Sequence, residues 1–324
     1  MINKSNLKVL IALAFTLLAI AIPWEEFRSS NFADRQVYLE YAAYGTNRLD
    51  YVDFDAATSY IVNEALWHLL IKLYTLQEGF NVEEFFQLIS IFSLAVFSIF
   101  IVKRFHPAWL LLLLNPLVLD FVLSQYRSAL ALGLIGLAVI INRRYFSAIL
   151  LILVPFIHTA SLIFIAFILA AKVLARFVRD NQVSWRHAII LSCFVGVLAA
   201  LVTGPFRETI LTAFNDRRAV YNAETASTFL YSSFWMMLLG MIFLQKKTYF
   251  ENPVNLYSIA ILSLVTVNYF TAGYSTRFLA ASFPALMSSM LSMSKNHRSF
   301  AVGIYSLYVA VQWLFWSGTR SYLF

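Results

Sequence analysis

Long apolar runs, separated by short polar or basic segments, recur from one end of the chain to the other. Most of the runs approach the length that a helix needs to cross a hydrocarbon core, about 20 residues. The pattern predicts an all-α fold, a polytopic transmembrane helix bundle of about 11 spans. The predicted spans cover residues 7–23, 85–102, 107–123, 127–142, 145–157, 159–176, 188–204, 229–245, 254–271, 277–293 and 299–316.

The composition supports a membrane protein, because 60% of the residues are hydrophobic and only 13% are charged. A soluble domain carries far more charge. The first apolar run, 7–24, ends in bulky residues with no small-residue cleavage site, so we expect it to be retained as a span. Cys193 is the only cysteine, which leaves no disulfide or cysteine metal cluster. Residues 1–324 are predicted to form a single integral membrane domain.

The basic residues gather in short segments between the predicted spans. These segments hold Lys103-Arg104, Arg143-Arg144, the group Lys172/Arg176/Arg179/Arg186, Lys246-Lys247, and Lys295 with Arg298. If the N-terminus with Lys4 and Lys8 is cytoplasmic, the predicted path places every cluster in the cytoplasm, as the positive-inside rule requires. The formal net charge of +7 is therefore attributed to topology and not to a nucleic-acid partner.

Two segments decide the span count. Residues 60–76 are moderately apolar but carry Asn63, Glu64, His68 and Lys72, and one more crossing here would invert every later loop. We expect this segment to be an amphipathic or re-entrant external helix. Residues 145–176 are read as two spans broken between 155 and 159, although one bent crossing is the alternative. The path leaves two long external loops, approximately 24–84 and 205–228.

Arginines and aromatic residues meet on the predicted external side. Arg127 follows Gln125 and Tyr126 between two very apolar runs, and an ionisable residue at a span edge is by default a functional candidate. A guanidinium group binds phosphate oxygens through two parallel hydrogen bonds, which suits a diphosphate on a lipid carrier. The other arginines and tyrosines on this side are Arg217, Arg218, Arg277, Tyr221 and Tyr274. The tyrosines suit stacking on sugars or, alternatively, an interfacial aromatic belt.

Three further residues are candidates for acid–base chemistry. His158 has no second histidine at metal-ligand spacing, so it either holds a helix break by hydrogen bonding or acts as a general base. Glu64 and Asp34 are external carboxylates that could accept a proton from a sugar hydroxyl, or simply solvated loop charges. Asp53 and Asp55 offer only a weak divalent-cation pattern, and we predict no metal and no cofactor. No Walker motif, dinucleotide fingerprint, Ser-His-Asp set or zinc spacing is visible.

The order of several short motifs resembles the EpsG-like and Wzy-type polysaccharide polymerases of bacteria. The motifs are Asp34-Arg35-x-x-Tyr38, Asn63-Glu64-Ala65-Leu66-Trp67, Asn115-Pro116, Ser124-Gln125-x-Arg127-x-x-Leu130-Ala131 and His158-x-x-Ser161. The likeness continues more loosely through Arg217-Arg218-x-x-Tyr221 and Tyr274-x-x-Arg277. Typical members carry Asp-Tyr and Glu-Pro where this chain has Asp34-Arg35 and Glu64-Ala65.

The resemblance implies a GT-C-like glycosyltransferase of the bacterial cytoplasmic membrane. Such enzymes move a growing glycan from undecaprenyl diphosphate onto a new lipid-linked repeat unit at the outer face, and work beside a flippase and a chain-length regulator. Under this hypothesis Arg127, Arg277 and Arg217 or Arg218 hold the donor diphosphate, and His158 or Glu64 activates the acceptor. A transporter of lipid-linked sugars, a membrane acyltransferase and a metal-dependent transferase are the alternatives.

Overall fold

In a computed structural model, the described residues are 4–28, 32–43, 57–75, 81–214, 216, 219, 229–271 and 273–318. Every regular element within these ranges is a helix. The α-helices are α1 Lys4–Ala21, α2 Ala33–Ala43, α3 Ala57–Val62, α4 Ala65–Thr75, α5 Val82–Val102, α6 Pro116–Ser124, α7 Tyr126–Ile141, α8 Arg144–Leu153, α9 Ser161–Arg179, α10 Trp185–Thr203, α11 Arg207–Ala213, α12 Phe229–Phe243, α13 Lys247–Phe250, α14 Pro253–Thr271, α15 Ser275–Leu291 and α16 Lys295–Trp316. Short 3-10 helices cover Trp24–Phe27, Pro107–Leu113 and Val154–Phe156.

Six of the described helices are long and apolar enough to cross a membrane: α1, α5, α9, α10, α14 and α16. A bent pair, Pro107–Leu113 with α6, would make a seventh span. Three shorter apolar helices cover 126–141, 144–156 and 231–243. Among the described residues the all-helical class is confirmed, and the candidate spans are consistent with a membrane bundle. The count of about 11 spans and the orientation of the chain stay predictions.

One predicted span, 107–123, is broken and not straight. The 3-10 helix Pro107–Leu113 and α6 meet at 75°. Pro116 disfavours a helical conformation at the residue before it, and it has no N–H to donate. Asn115 caps the new helix, since its Oδ1 accepts the N–H of Leu117 at 2.8 Å. The Asn-Pro pair therefore ends one helix and starts the next.

The segment expected to form one external helix over 60–76 is also divided. α3 ends at Val62 and α4 begins at Ala65, with Asn63 and Glu64 between them. One face of α4 is packed against protein, because Trp67 and His68 are buried, while Leu69 on another face is exposed. The break is centred on Glu64, described below, and the external placement of this amphipathic or re-entrant segment stays a prediction. The predicted loop over 24–84 thus contains three described α-helices.

Contacts within the chain define two compact units. One comprises residues 1–114 and 118–162, and the other comprises 115–117 and 163–324. In the first unit, α5 packs against both α1 and α7. Gly133 and Gly136 of α7 allow the close approach, since a Cβ at Gly133 would lie 2.7 Å from the Phe92 ring and one at Gly136 would lie 2.8 Å from Val96. The sequence motif Gly133-x-x-Gly136 is a packing motif.

In the second unit, α14 is the buried centre and packs against α10, α12 and α15. The hydroxyl groups of Tyr257 on α14 and Ser282 on α15 are 2.7 Å apart. On α13, outside the candidate spans, the Tyr249 hydroxyl donates to the Ser289 carbonyl oxygen at 3.0 Å. Burial raises the pKa of Tyr249 well above its usual range, so this hydroxyl stays protonated and keeps its hydrogen bond.

Gly196 allows α10 and α14 to touch. A Cβ at this position would lie 2.9 Å from Ser263 Cβ and closer still to the Ala260 carbonyl oxygen, which belongs to the backbone and has little room to move. We expect Gly196→Ala to destabilise the protein by about 1–3 kcal/mol through overpacking. The change would be measured as a lower thermal unfolding midpoint of the full chain in detergent.

Gly240→Ala is the matched control, because no atom lies within 4 Å of a Cβ added at Gly240. Alanine is the better helix former, so this variant should be neutral or stabilised by about 0.5–1 kcal/mol. Equal unfolding midpoints for the two variants would contradict the close approach of α10 and α14.

Candidate functional site

Glu64 lies at the break between α3 and α4 with a left-handed backbone, φ 53°. Its N–H donates to the Ile61 carbonyl oxygen at 3.0 Å, and its own carbonyl oxygen accepts the N–H of Trp67 at 3.0 Å, which starts α4. A positive φ at a residue other than glycine is uncommon, costs about 1–3 kcal/mol, and concentrates at functional sites. The residue is only 4% exposed, so its carboxylate lies inside the protein.

The Glu64 carboxylate contacts groups from two distant segments of the first unit. Its Oε2 forms an ion pair with Nη1 of Arg127. Its Oε1 lies 2.9 Å from Nδ1 of His158 and accepts the backbone N–H of Thr159 at 3.1 Å. The Ser128 hydroxyl oxygen lies 3.2 Å from the other ring nitrogen, Nε2 of His158. We call these five residues the Glu64 cluster.

Local sequence explains how each segment presents its side chain. Arg127 and Ser128 lie in the first turn of α7, immediately after the end of α6 at Ser124. His158 and Thr159 lie in the turn between the 3-10 helix Val154–Phe156, which contains Pro155, and the start of α9. The helices are therefore broken close to the predicted 155–159, and the interpretation as two spans stays a prediction. Each member of the cluster lies at a helix break or beside a helix terminus.

A hydrogen bond between backbone and side chain ties two of these breaks together. The Thr159 hydroxyl donates to the Ile61 carbonyl oxygen at 2.8 Å, at the end of α3. The Thr159 N–H meanwhile donates to the Glu64 carboxylate. Threonine at this position thus fixes both the backbone that carries Glu64 and the carboxylate itself. The sequence analysis missed Thr159, because a hydroxyl residue in a turn has no distinctive pattern.

The contacts indicate which nitrogen of His158 carries a proton. A carboxylate paired with arginine and bonded to a backbone N–H acts as an acceptor, so Nδ1 of His158 donates to Glu64. In the neutral ring Nε2 is then an acceptor, and the Ser128 hydroxyl donates to it. The side chains of Arg127, His158 and Glu64 are 19%, 14% and 5% exposed. The Glu64 carboxylate thus orients the His158 ring within a largely buried cluster.

Other predicted residues of this unit lie in different surroundings. Tyr126 is 4% exposed, and one ring face stacks on Phe86 with centroids 4.5 Å apart. It packs in an aromatic group with Tyr38 and Trp67. Its covered ring face is therefore closed to a sugar. Stacking of Tyr126 on a substrate stays a prediction, and the ring face on Phe86 is not available for it.

Gln125 and Asp34 lie near a second ion pair, which was not predicted from the sequence. Arg28 Nη1 and Asp120 Oδ1 are 2.7 Å apart, and the Arg28 guanidinium lies 4.3 Å from the centre of the Phe32 ring. The Gln125 side chain hydrogen-bonds Asp120, and Asp34 is close enough to interact electrostatically with it. The sequence feature that could have indicated this pair is Asp120, because an acidic residue inside a long apolar run requires a partner.

A third pair, Tyr41 and His68, joins α2 to α4. The Tyr41 hydroxyl oxygen lies 3.0 Å from Nδ1 of His68, and His68 is 5% exposed. From the sequence, His68 was only one of the polar residues that place its segment outside the membrane. The structure instead gives it a hydrogen-bonding role in holding α2 against α4.

The remaining predicted residues belong to the second unit or lie outside the described ranges. The guanidinium carbons of Arg277 and Arg207 lie 5.5 Å and 5.3 Å from the centre of the Tyr274 ring, at the start of α15. These are cation–π distances. Arg217, Arg218 and Tyr221 are among the predicted residues outside the described ranges. A diphosphate site shared by these arginines and Arg127 stays a prediction.

Among the described residues, no three His, Cys, Asp or Glu side chains are placed to hold a metal ion. The weak candidates Asp53 and Asp55 lie outside the described ranges. Comparison of the chain with protein-family models, with curated proteins and with solved structures found no match.

The Arg127–Glu64 pair has a measurable energetic consequence. Removing the arginine leaves a buried carboxylate without its cation, so we expect Arg127→Gln to lower the free energy of unfolding by about 3 kcal/mol. The double variant Glu64→Gln, Arg127→Gln removes both charges and should recover part of that loss. Thermal unfolding of the full chain in detergent would measure both variants.

Arg35→Gln provides the control, because the Arg35–Glu25 pair is more exposed, with 31% and 51% of the two side chains accessible. An exposed pair contributes at most about 1 kcal/mol, so its unfolding midpoint should hardly change. If Arg127→Gln behaved like Arg35→Gln, the Glu64 carboxylate would not depend on arginine for its burial.

Proposed function

We propose that this protein is a membrane glycosyltransferase of the polysaccharide-polymerase type. In this role it joins undecaprenyl-diphosphate-linked oligosaccharide repeat units at the outer face of the bacterial cytoplasmic membrane. The observation that carries the proposal is the Glu64 cluster. Residues singled out in three separate motifs, Glu64, Arg127 and His158, meet within hydrogen-bonding distance of one another through the Glu64 carboxylate.

The chemistry of glycosyl transfer from a diphosphate fits this cluster. The acceptor hydroxyl must lose a proton as it attacks the anomeric carbon, and a neutral imidazole is suited to receive it. Nε2 of His158 faces a hydroxyl group, that of Ser128, at 3.2 Å. We assign His158 as the base and Glu64 as the positioning residue that holds its tautomer. An acceptor hydroxyl would take a comparable position beside Nε2.

The departing diphosphate needs positive charge, which arginine supplies without a metal ion. A guanidinium carries five N–H donors, so pairing with Glu64 through Nη1 is compatible with phosphate binding by the same group. Arg127 is assigned to the donor diphosphate on this ground. Arg277, Arg217 and Arg218 are proposed as further diphosphate ligands, and Tyr274 and Tyr221 as sugar contacts. The flippase and the chain-length regulator are proposed partners.

The decisive assay uses purified full-length protein in lipid nanodiscs with lipid-linked repeat units. We expect His158→Gln to reduce polymer formation by about 100-fold or more, because the general base is lost while the ring volume is largely replaced. His187→Gln is the matched control, since His187 is exposed on α10 and bonded only locally to Ser184 in the described structure. A His158→Gln protein that polymerises like the control would exclude His158 as the base.

Metal removal tests the arginine assignment. Because the proposed charge stabilisation comes from guanidinium groups, polymer formation should be the same with and without excess chelator. Loss of activity in chelator that is restored by magnesium or manganese would instead indicate a metal-dependent transferase. Lipid-linked units that cross the membrane without being joined would indicate a transporter.

A further inference from the structure

Ser128 gives the Glu64 cluster a feature that glycosyl transfer does not require. Its hydroxyl oxygen lies 3.2 Å from Nε2 of His158, and Nδ1 of the same ring lies 2.9 Å from Glu64 Oε1. A serine, a histidine and a carboxylate are thus connected in series through the two ring nitrogens. The three residues are far apart in the sequence, in the order Glu64, Ser128, His158, so a sequence pattern does not reveal the arrangement.

The order of the three groups suits proton transfer from the Ser128 hydroxyl to His158, with Glu64 holding the ring. Glu64 is fixed as an acceptor by the Thr159 N–H and by Arg127, so it orients Nδ1–H and stabilises positive charge on the ring. Nε2 is left to accept the Ser128 proton. An adjacent base of this kind converts a weakly nucleophilic hydroxyl into a reactive one. A carboxylate with three described hydrogen-bonding partners also keeps the imidazole from rotating.

The surroundings of Ser128 favour anionic intermediates. Ser128 lies in the first turn of α7, a helix of 16 residues. The N–H groups of a first turn have no partners within the helix and point toward its start, where the helix dipole is positive. The side chain of the preceding cap residue, Gln125, makes no capping hydrogen bond. Donors at this helix start would stabilise the oxyanion that forms on the carbonyl oxygen of a substrate attacked by Ser128.

We infer that Ser128 is a nucleophile for acyl transfer, and that the Glu64 cluster cleaves carboxylic esters such as the O-acyl groups carried by sugars. Ser128 Oγ attacks the ester carbonyl carbon while His158 Nε2 takes the hydroxyl proton. The carbon–oxygen bond to the alcohol then breaks, and the alcohol leaves with the proton from His158. Water attacks the acyl-serine in the same way and releases the carboxylic acid. Ester and water become alcohol and acid.

This inference does not depend on the proposed polymerase activity. Both use His158 as the base and Glu64 to position it, but they differ in the attacking oxygen, which belongs to Ser128 in one case and to an acceptor sugar in the other. Fluorophosphonates report on this difference directly, because they react covalently with activated serines and need no sugar substrate. Labelling and polymer formation can be measured on one preparation.

The test is fluorophosphonate labelling of the full-length protein in nanodiscs, with the modified residue located by peptide mass spectrometry. We expect label on Ser128, and loss of about 100-fold in labelling rate for both Ser128→Ala and His158→Gln. Ser147→Ala is the matched control, because the Ser147 hydroxyl bonds the Ala138 carbonyl oxygen in the same unit. It should label like the unchanged protein. Hydrolysis of 4-nitrophenyl acetate should follow the same order.

Absence of label on the unchanged protein, or equal labelling of Ser128→Ala, would overturn the inference. A second pair of variants tests the inference without removing the nucleophile. In a Cys193→Ala background, we expect iodoacetamide to alkylate the thiol of Ser128→Cys faster than the thiol of Ser147→Cys. Equal rates would also overturn it. A protein that labels at Ser128 but makes no polymer would remove the proposed function alone, and one that polymerises without labelling would remove this inference alone.

Discussion

The buried carboxylate of Glu64 is the constraint on which the rest of the site depends. An ionised carboxyl group at 4% exposure is tolerated only with compensating charge and hydrogen bonds. Arg127 supplies the charge, and the Thr159 N–H and His158 supply the hydrogen bonds. These partners are thereby fixed in place themselves. Because Nδ1 of His158 donates to the Glu64 carboxylate, Nε2 is the ring nitrogen that can accept a proton.

Breaks in apolar helices provide the polar groups that this arrangement needs. A continuous helix satisfies its own backbone and presents mostly side chains suited to lipid or to packing. Glu64 stands between α3 and α4, His158 and Thr159 stand before α9, and Arg127 and Ser128 open α7. Each break also exposes backbone N–H or C=O groups, and the bond from Thr159 to Ile61 uses one of them. The same breaks that end and start these helices therefore bring the members of the Glu64 cluster together.

Periodicity and charge predicted the helical membrane class, because long apolar runs leave few alternatives. They also singled out Arg127, His158 and Glu64, since polar residues beside such runs are costly. Burial of Glu64 was not predictable, because it depends on partners 63 and 94 residues away. Tyr126 was a candidate for stacking on a sugar or for an aromatic belt, and its contact with Phe86 could not be predicted from the neighbouring sequence. Ser128 has no pattern of its own, and only the fold reveals its contact with His158. The number of crossings remains open, because helix length alone does not fix which side of a membrane each end occupies.

The left-handed backbone at Glu64 has a consequence for how the protein assembles. Strain of this kind persists only while surrounding contacts hold it. Those contacts come from Thr159 and His158, which the ribosome adds long after α3 and α4 have emerged. Residues 57–75 therefore reach their final shape late, when the turn before α9 has been inserted and can bind them. The contacts that satisfy the Glu64 carboxylate and the contacts that hold its backbone are therefore completed together.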